Sequence, residues 1–98
     1  MEQREIARIS KALSDPTRLR IYGEISACNE IFCGELVEKH ALTPGTISHH
    51  LKVLADANLI ECRREGQFIY NRSRPETIRE FIRALGRIAG KTKAVSSR

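Results

Sequence analysis

The side chains able to do chemistry fall into three groups along this 98-residue chain. The first is the run Thr43-Pro44-Gly45-Thr46-Ile47-Ser48-His49-His50-Leu51-Lys52-Val53-Leu54, where hydroxyl, imidazole and ammonium groups alternate with branched apolar residues. Small polar side chains beside a glycine let a helix backbone approach the edges of base pairs, and Thr, Ser and His supply hydrogen bonds there. The second is Arg63-Arg64-Glu65-Gly66-Gln67, two guanidiniums beside a turn signal. Such groups gain from phosphate or from the concentrated negative potential of a narrow minor groove. The third is a set of three cysteines, Cys28, Cys33 and Cys62, with His40 not far off in sequence. No nucleophile, base and orienting group form a recognisable arrangement, and no glycine loop could cradle a phosphate. Catalysis is therefore not expected.

The first group needs a helix to position it. At about 100° per residue, Ile47, Leu51 and Leu54 share one face and must pack inward. Gly45, His49, Lys52 and Asp56 then lie opposite, flanked by Thr46 and Ser48, and the helix N-terminus at Pro44 attracts phosphate. His50 falls beside the apolar seam, so it is expected to be half-buried and to bond a phosphate or a neighbouring carbonyl rather than a base. The plain alternative is a solvated face of a small helical domain. Adjacent side chains on a helix diverge by about 100°, so His49 and His50 make a poor chelating pair.

The flanking elements follow from periodicity and caps. Ile6, Ile9 and Leu13 recur at helical spacing, giving a first helix over residues 3 to 13. Ser14-Asp15-Pro16 ends it and opens a second, because Asp15 can cap free amides and proline suits the first turn. That helix carries Leu19, Tyr22 and Ile25 on one side and stops near Cys28-Asn29; Gly23 within it suggests close approach of another helix. Ile31-Phe32-Cys33 is a brief strand or the entry to a third helix, which runs from Gly34 to His40 with Leu36 and Val37 inward. Thr43 and Pro44 repeat the cap-and-proline device and launch the fourth helix, to about Ala57. Residues 34 to 57 thus read as a helix-turn-helix, in which the second helix enters the groove.

Residues 59 to 72 read as two strands joined at Glu65-Gly66, with Arg63 and Arg64 at the tip and Gln67 across from them. These three are candidate DNA contacts; alternatively the charges only keep a hairpin edge from aggregating. Ser73 and Glu76 form a capping-box pattern opening a last helix with apolar positions Ile78, Phe81, Ile82, Leu85, Ile88 and Ala89. The expected architecture is mainly α with a small β hairpin, one domain over residues 1 to 98, frayed over 91 to 98. A chain this short has little remaining core to cover the stripes of both end helices, which favours a homodimer through Ile6, Ile9, Leu13, Ile78, Phe81, Ile82, Leu85 and Ile88. The alternative is that the two stripes close the monomer.

Seventeen Lys and Arg against twelve Asp and Glu give a net charge of +5, compatible with a polyanionic partner. Much of the excess is C-terminal, where Arg79, Arg83, Arg87 and Lys91 recur at every fourth residue as a solvated face. No run approaches the ~20 apolar residues of a membrane span, and the charged N-terminus lacks a secretory pattern. A cytoplasmic protein is expected, and with it free thiols rather than a disulfide framework.

Ala12-Leu13-Ser14-Asp15-Pro16-Thr17-Arg18-Leu19-Arg20-Ile21, Ile47 to Leu54, Arg63-Arg64-Glu65-Gly66 and Ile69-Tyr70, in that order, resemble the ArsR/SmtB family of bacterial winged helix-turn-helix repressors. The resemblance spans roughly residues 5 to 90. It implies a winged fold with the wing at about 59 to 72, a homodimer built on the first and last helices, and binding to an imperfect palindrome in a promoter. It also implies release of repression by a metal ion, metalloid or other signal.

The familiar sensor sites do not transfer. Arsenic-sensing members typically carry two cysteines separated by one residue where this chain has Phe32 and Gly34, with Cys33 between them. The usual zinc site on the last helix uses His and carboxylates, yet Pro75 to Arg98 contains neither His nor Cys, and only Glu76 and Glu80 as acids. Cys28, Cys33 and Cys62 remain. Two or three converging thiolates suit a soft ion, and Cys33 approaches Cys62 if residues 31 to 33 join the hairpin as a third strand. The other readings are a reversible thiol switch and packing as small apolar residues. Two different functional classes also stay open: a winged module that docks a protein partner, and a nonspecific nucleoid-type binder.

Overall fold

The computed structural model describes residues 1–90; the expected frayed tail, 91–98, and Lys91 lie outside the described residues. Helix α1 (Gln3–Ala12) begins where the Glu2 amide donates to the Glu5 carboxylate at 3.0 Å, and it buries Ile9 and Ala12. Helix α2 (Pro16–Ser26) is capped by Asp15, whose carboxylate accepts from the Arg18 amide at 2.9 Å. That hydrogen bond is the main reason Asp15 is held below the usual carboxylate range. Two readings of α2 are corrected. The inward side is Ile21, Tyr22 and Ile25, while Leu19 is 50% exposed. Nothing lies within 4 Å of where a Cβ on Gly23 would sit, so close helix approach is not why glycine stands there.

The ambiguous segment after α2 is both things in turn. Ile31–Phe32 forms strand β1, and helix α3 (Cys33–His40) starts at the next residue. Leu36 is fully buried, and Ala41 ends α3 in the left-handed region at φ 53°. Leu42 and Thr43 complete the turn into helix α4 (Pro44–Asp56), whose first turn is closed by Thr43 Oγ1 accepting from the Thr46 amide at 3.2 Å. Ile47, Leu51 and Leu54 point into the core as their spacing requires.

Strands β2 (Ile60–Glu65) and β3 (Phe68–Ser73) pair antiparallel around Gly66-Gln67, and Gly66 supplies the positive φ, 63°, that such a turn favours. Because β1 adds to the far side of β3, the expected hairpin is the larger part of a three-stranded sheet in the order β1-β3-β2. Ser73 pairs with Ile60 as the last residue of β3, so it does not cap the last helix. Helix α5 (Pro75–Gly90) follows one residue later, its start tied down by the Arg74 amide donating to the Leu59 carbonyl at 2.9 Å. One core joins Ile9, Ile21, Ile25, Ile31, Leu36, Ile47, Leu54, Leu59, Ile60 and Phe81, so all five helices, β1 and the start of β2 contribute to the platform under α4.

Candidate nucleic-acid interface

Helix α4 presents Pro44, Gly45, Thr46, Ser48, His49 and Lys52 to solvent, with Gly45, His49 and Lys52 opposite the buried Ile47, Leu51 and Leu54 and Thr46 and Ser48 on the flanks. The Thr46 hydroxyl shares a 2.9 Å hydrogen bond with Thr43 Oγ1 at the helix start. Lys52 makes a 3.5 Å exposed pair with Asp56, a contact too solvated to hold the ammonium against a competing phosphate. Ser48 and His49 are exposed and make no hydrogen bond among the described residues, the His49 ring lying 5.9 Å from that of His50. The face is therefore light and largely uncommitted, although Thr43 already takes the Thr46 and Ile47 amides of the first turn.

His50 is different. Its ring is half-buried, and its Nδ1 lies 3.3 Å from Arg18 Nη1. A guanidinium can only donate, so Nδ1 accepts and the imidazole is neutral with its proton on Nε2. Arg18 is itself fixed by donating to the Ala12 carbonyl at 2.6 Å and the Lys11 carbonyl at 3.4 Å. His50 thus clamps α4 to the α1–α2 junction, a role for which Arg18 gave no signal in isolation. Burial first, then the Arg18 and His49 charges, push the His50 pKa below 6.5, with Asp15 opposing.

The wing divides its two arginines. Arg63 is not at the tip but three residues before Gly66, opposite Tyr70. Its Nε and Nη2 donate to the Glu30 carboxylate at 3.2 and 2.9 Å, its Nη1 donates to Glu65 at 2.8 Å, and its guanidinium lies 4.8 Å over the Tyr70 ring. Glu30 is held below its usual range chiefly by that bond. Arg64 and Gln67 have no such partners among the described residues and extend from the exposed end of the hairpin. Glu30 was not foreseen, because nothing in sequence links it to a residue thirty-three positions away.

A family model for a helix-turn-helix domain matches residues 13–63, a stretch from before α2 to within β2. The arsenical resistance operon repressor of Staphylococcus xylosus is 38% identical over 66 residues, covering 67% of this chain and 62% of the relative. The chain thus spans a little under two thirds of that relative's length. An ArsR-like transcriptional regulator from Rhodococcus sp. RHA1 superposes with a TM-score of 0.84 at 26% identity, over 96% of this chain and 88% of that one. The chain belongs to the ArsR/SmtB family. A Mycobacterium bovis structure described as a homodimeric winged helix-turn-helix DNA-binding domain, a possible ArsR-family regulator, matches with a TM-score of 0.71 at 28% identity, over 90% of this chain and 80% of that one.

Within this ArsR/SmtB frame α3 and α4 are the helix-turn-helix, β2 and β3 the wing, and the fold is that of DNA-binding regulators rather than enzymes. Among the described residues no helix is long and apolar enough to cross a membrane. The two end-helix stripes separate by burial. Ile9 and Phe81, expected at a dimer seam, are buried within the single chain. Ile6, Leu13 and Ile78 are partly covered, whereas Ile82, Leu85 and Ile88 stand exposed at 62%, 42% and 55%. The cysteines separate too. Cys28 is exposed near the end of α2, while Cys33 and Cys62 both meet the side chain of Asn71, a fully buried polar residue of β3. Burial, then proximity of Cys33, pushes the Cys62 thiol up. No group of three or more His, Cys, Asp or Glu suited to a metal ion occurs among the described residues. Nothing in the sequence sets Asn71 apart, since it is followed by the polar Arg72 and Ser73.

Proposed function

We propose that this chain is a homodimeric transcriptional repressor that reads a palindromic operator with α4 and is released from it by an effector, acting in the cytoplasm. The observation that carries the reading is the face of α4: small, hydrogen-bonding, without partners at Ser48 and His49, and directly ahead of a hairpin that ends in a free Arg64. Thr46, Ser48 and His49 take base edges, with Gly45 allowing close approach and Pro44 and the Gly45 amide meeting phosphate. Lys52, Arg64 and Gln67 lie along the neighbouring backbone, while His50 and Arg63 position these elements rather than touch DNA. Ile82, Leu85 and Ile88 pack against the same residues of a second copy, with Ile6, Leu13 and Ile78 at the margin, as a two-fold axis requires. The homodimer described for the Mycobacterium bovis relative supports that assembly.

The deciding experiment is a gel shift against the protein's own upstream promoter at two salt concentrations, beside a random duplex. Thr46→Ala and His49→Ala each remove about 1–3 kcal/mol of discrimination between the two DNAs. If both variants bind operator and random duplex as the parent does, α4 is not the reading surface. Binding that falls steeply with salt yet keeps its sequence preference supports a repressor over a protein-docking module. Ile82→Asp combined with Leu85→Asp gives a monomer by sedimentation with weakened operator binding.

A further inference from the structure

Helix α4 has two flanks, and only one of them meets the wing. Ser48 and Lys52 lie on the wing side, where they share a cleft with Cys62 and Ile69. On the opposite flank His49 and Val53 share a second cleft with Arg8, Lys11 and Ala12 of α1 and with Arg18. The helical period explains why α1 turns charge toward α4. Its residues Ile9 and Ala12 are buried, and Arg4, Arg8 and Lys11 fall within about 60° of one another beside Ala12. Ile6 and Leu13, at the margin assigned to a second copy, lie on the other side of Ile9. Arg4, Arg8 and Lys11 are exposed, and their side chains make no hydrogen bond or ion pair among the described residues. Lys39, Lys52, Arg63, Arg72 and Arg74, by contrast, each pair with an acid. Glu5, Asp56 and Glu80 border Arg8 in a smaller pocket, yet none of them makes an ion pair with it. Glu5 instead accepts from the Glu2 amide at 3.0 Å, and Asp56 lies 3.5 Å from Lys52.

We propose that Arg8 and Lys11 of α1 hold the DNA sugar-phosphate backbone on the flank of α4 opposite the wing, so that different elements grip the two walls of the major groove. This surface deepens the function proposed above and rests on it. The major groove is about 12 Å wide, and an α-helix with its side chains is about 10–12 Å across. A helix seated there therefore has one backbone along each flank. Lys52, Arg64 and Gln67 serve the flank beside the wing. On the other flank the cleft has an apolar floor, with Ala12 buried and Val53 half-buried, and its open rim carries Arg8 and Lys11. Arg18 closes the cleft with a guanidinium already donating to the Ala12 and Lys11 carbonyls, so it adds fixed positive potential. Contacts of this kind fix the register of α4 and add affinity without reading sequence.

Operator binding by the full chain carrying Arg8→Ala and Lys11→Ala, measured across a salt series, tests the assignment. The salt slope should fall by about 2 per bound protomer, with operator and random duplex weakened alike. Between about 50 and 200 mM salt the parent should lose about twelvefold more affinity per protomer than the variant does. Melting temperature and dimer formation should match the parent, since both side chains are exposed and unpaired. Removing as much charge from α5, by Arg83→Ala with Arg87→Ala, should move the slope far less. Equal slopes for the parent and the α1 variant, or an equal drop from the α5 variant, would overturn the assignment. Phosphate ethylation interference then locates the contacts. The phosphates that stop mattering to the α1 variant should lie across the major groove from those that stop mattering to Arg64→Ala. The same phosphates in both cases would refute the two-flank arrangement. A parent without any salt-dependent preference for its operator would sink the proposed function itself; a parent that binds, matched by the α1 variant, sinks this inference alone.

Discussion

Helix α4 and the wing carry the same kinds of polar residue and use them in opposite ways. On α4 the body of the protein engages only the inward face, through Ile47, Leu51, Leu54 and the half-buried His50, leaving Ser48 and His49 without a hydrogen bond among the described residues. On the wing the first arginine is tied down on the surface by Glu30 and Glu65 over Tyr70, whereas Arg64 and Gln67 stay outward without such partners among the described residues. A basic residue near a hairpin tip is therefore no contact by default. The acid in reach decides, and Glu30 reaches Arg63 but makes no bond with Arg64. One region is built to expose chemistry on a rigid support, the other uses charge to make its support rigid.

The comparison breaks most severely if the support under α4 is removed. Ile47→Ala leaves a cavity in a site with no exposure to refill it and costs about 2–5 kcal/mol, read by chemical denaturation, with operator binding lost in proportion to unfolding. Loss of binding at unchanged stability would mean that Ile47 touches DNA. Next in size, Thr43→Ala removes the hydroxyl that closes the first turn and costs about 1 kcal/mol, measurable by thermal melting. The two arginines give the sharper contrast. Arg64→Ala should weaken operator and random DNA alike and reduce the salt slope by about 1, leaving the melting temperature in place. Arg63→Ala should do the reverse, lowering the melting temperature with little change in salt slope. The smallest effect is protonic. The folded protein holds His50 below 6.5, so it binds that proton less readily than the unfolded chain does. Its contribution is full at pH values above 6.5 and is lost as pH falls through the folded value. His50→Gln should flatten that part of the stability–pH curve.

Much of the site was legible in the chain. The apolar spacing of Ile47, Leu51 and Leu54 assigns the opposite side to solvent whatever the surroundings, and Thr43-Pro44 sets where the helix begins, because caps and prolines act locally. Periodicity was weaker where an element is short or buried on more than one side. It named Leu19 as inward when Ile21 is, since α2 packs against more than one neighbour and its apolar residues do not form a single stripe. It merged Ile9 and Phe81 with a surface seam, because a sequence pattern shows that a face is apolar but not what covers it. Ser73-Glu76 matched a capping pattern, yet β3 claimed Ser73 first by pairing it with Ile60.

The chain alone, through local rules of helical period, capping and turn chemistry, determined that α4 exists, where it starts, and which of its sides is polar. Only the assembled tertiary structure decided that Arg63 pairs with Glu30, that His50 locks onto Arg18, and that Cys33 and Cys62 share Asn71. Each of those pairs joins residues separated by twenty-nine to thirty-three positions in the chain. Contacts at that separation depend on which surfaces the core brings face to face, and no local propensity encodes them.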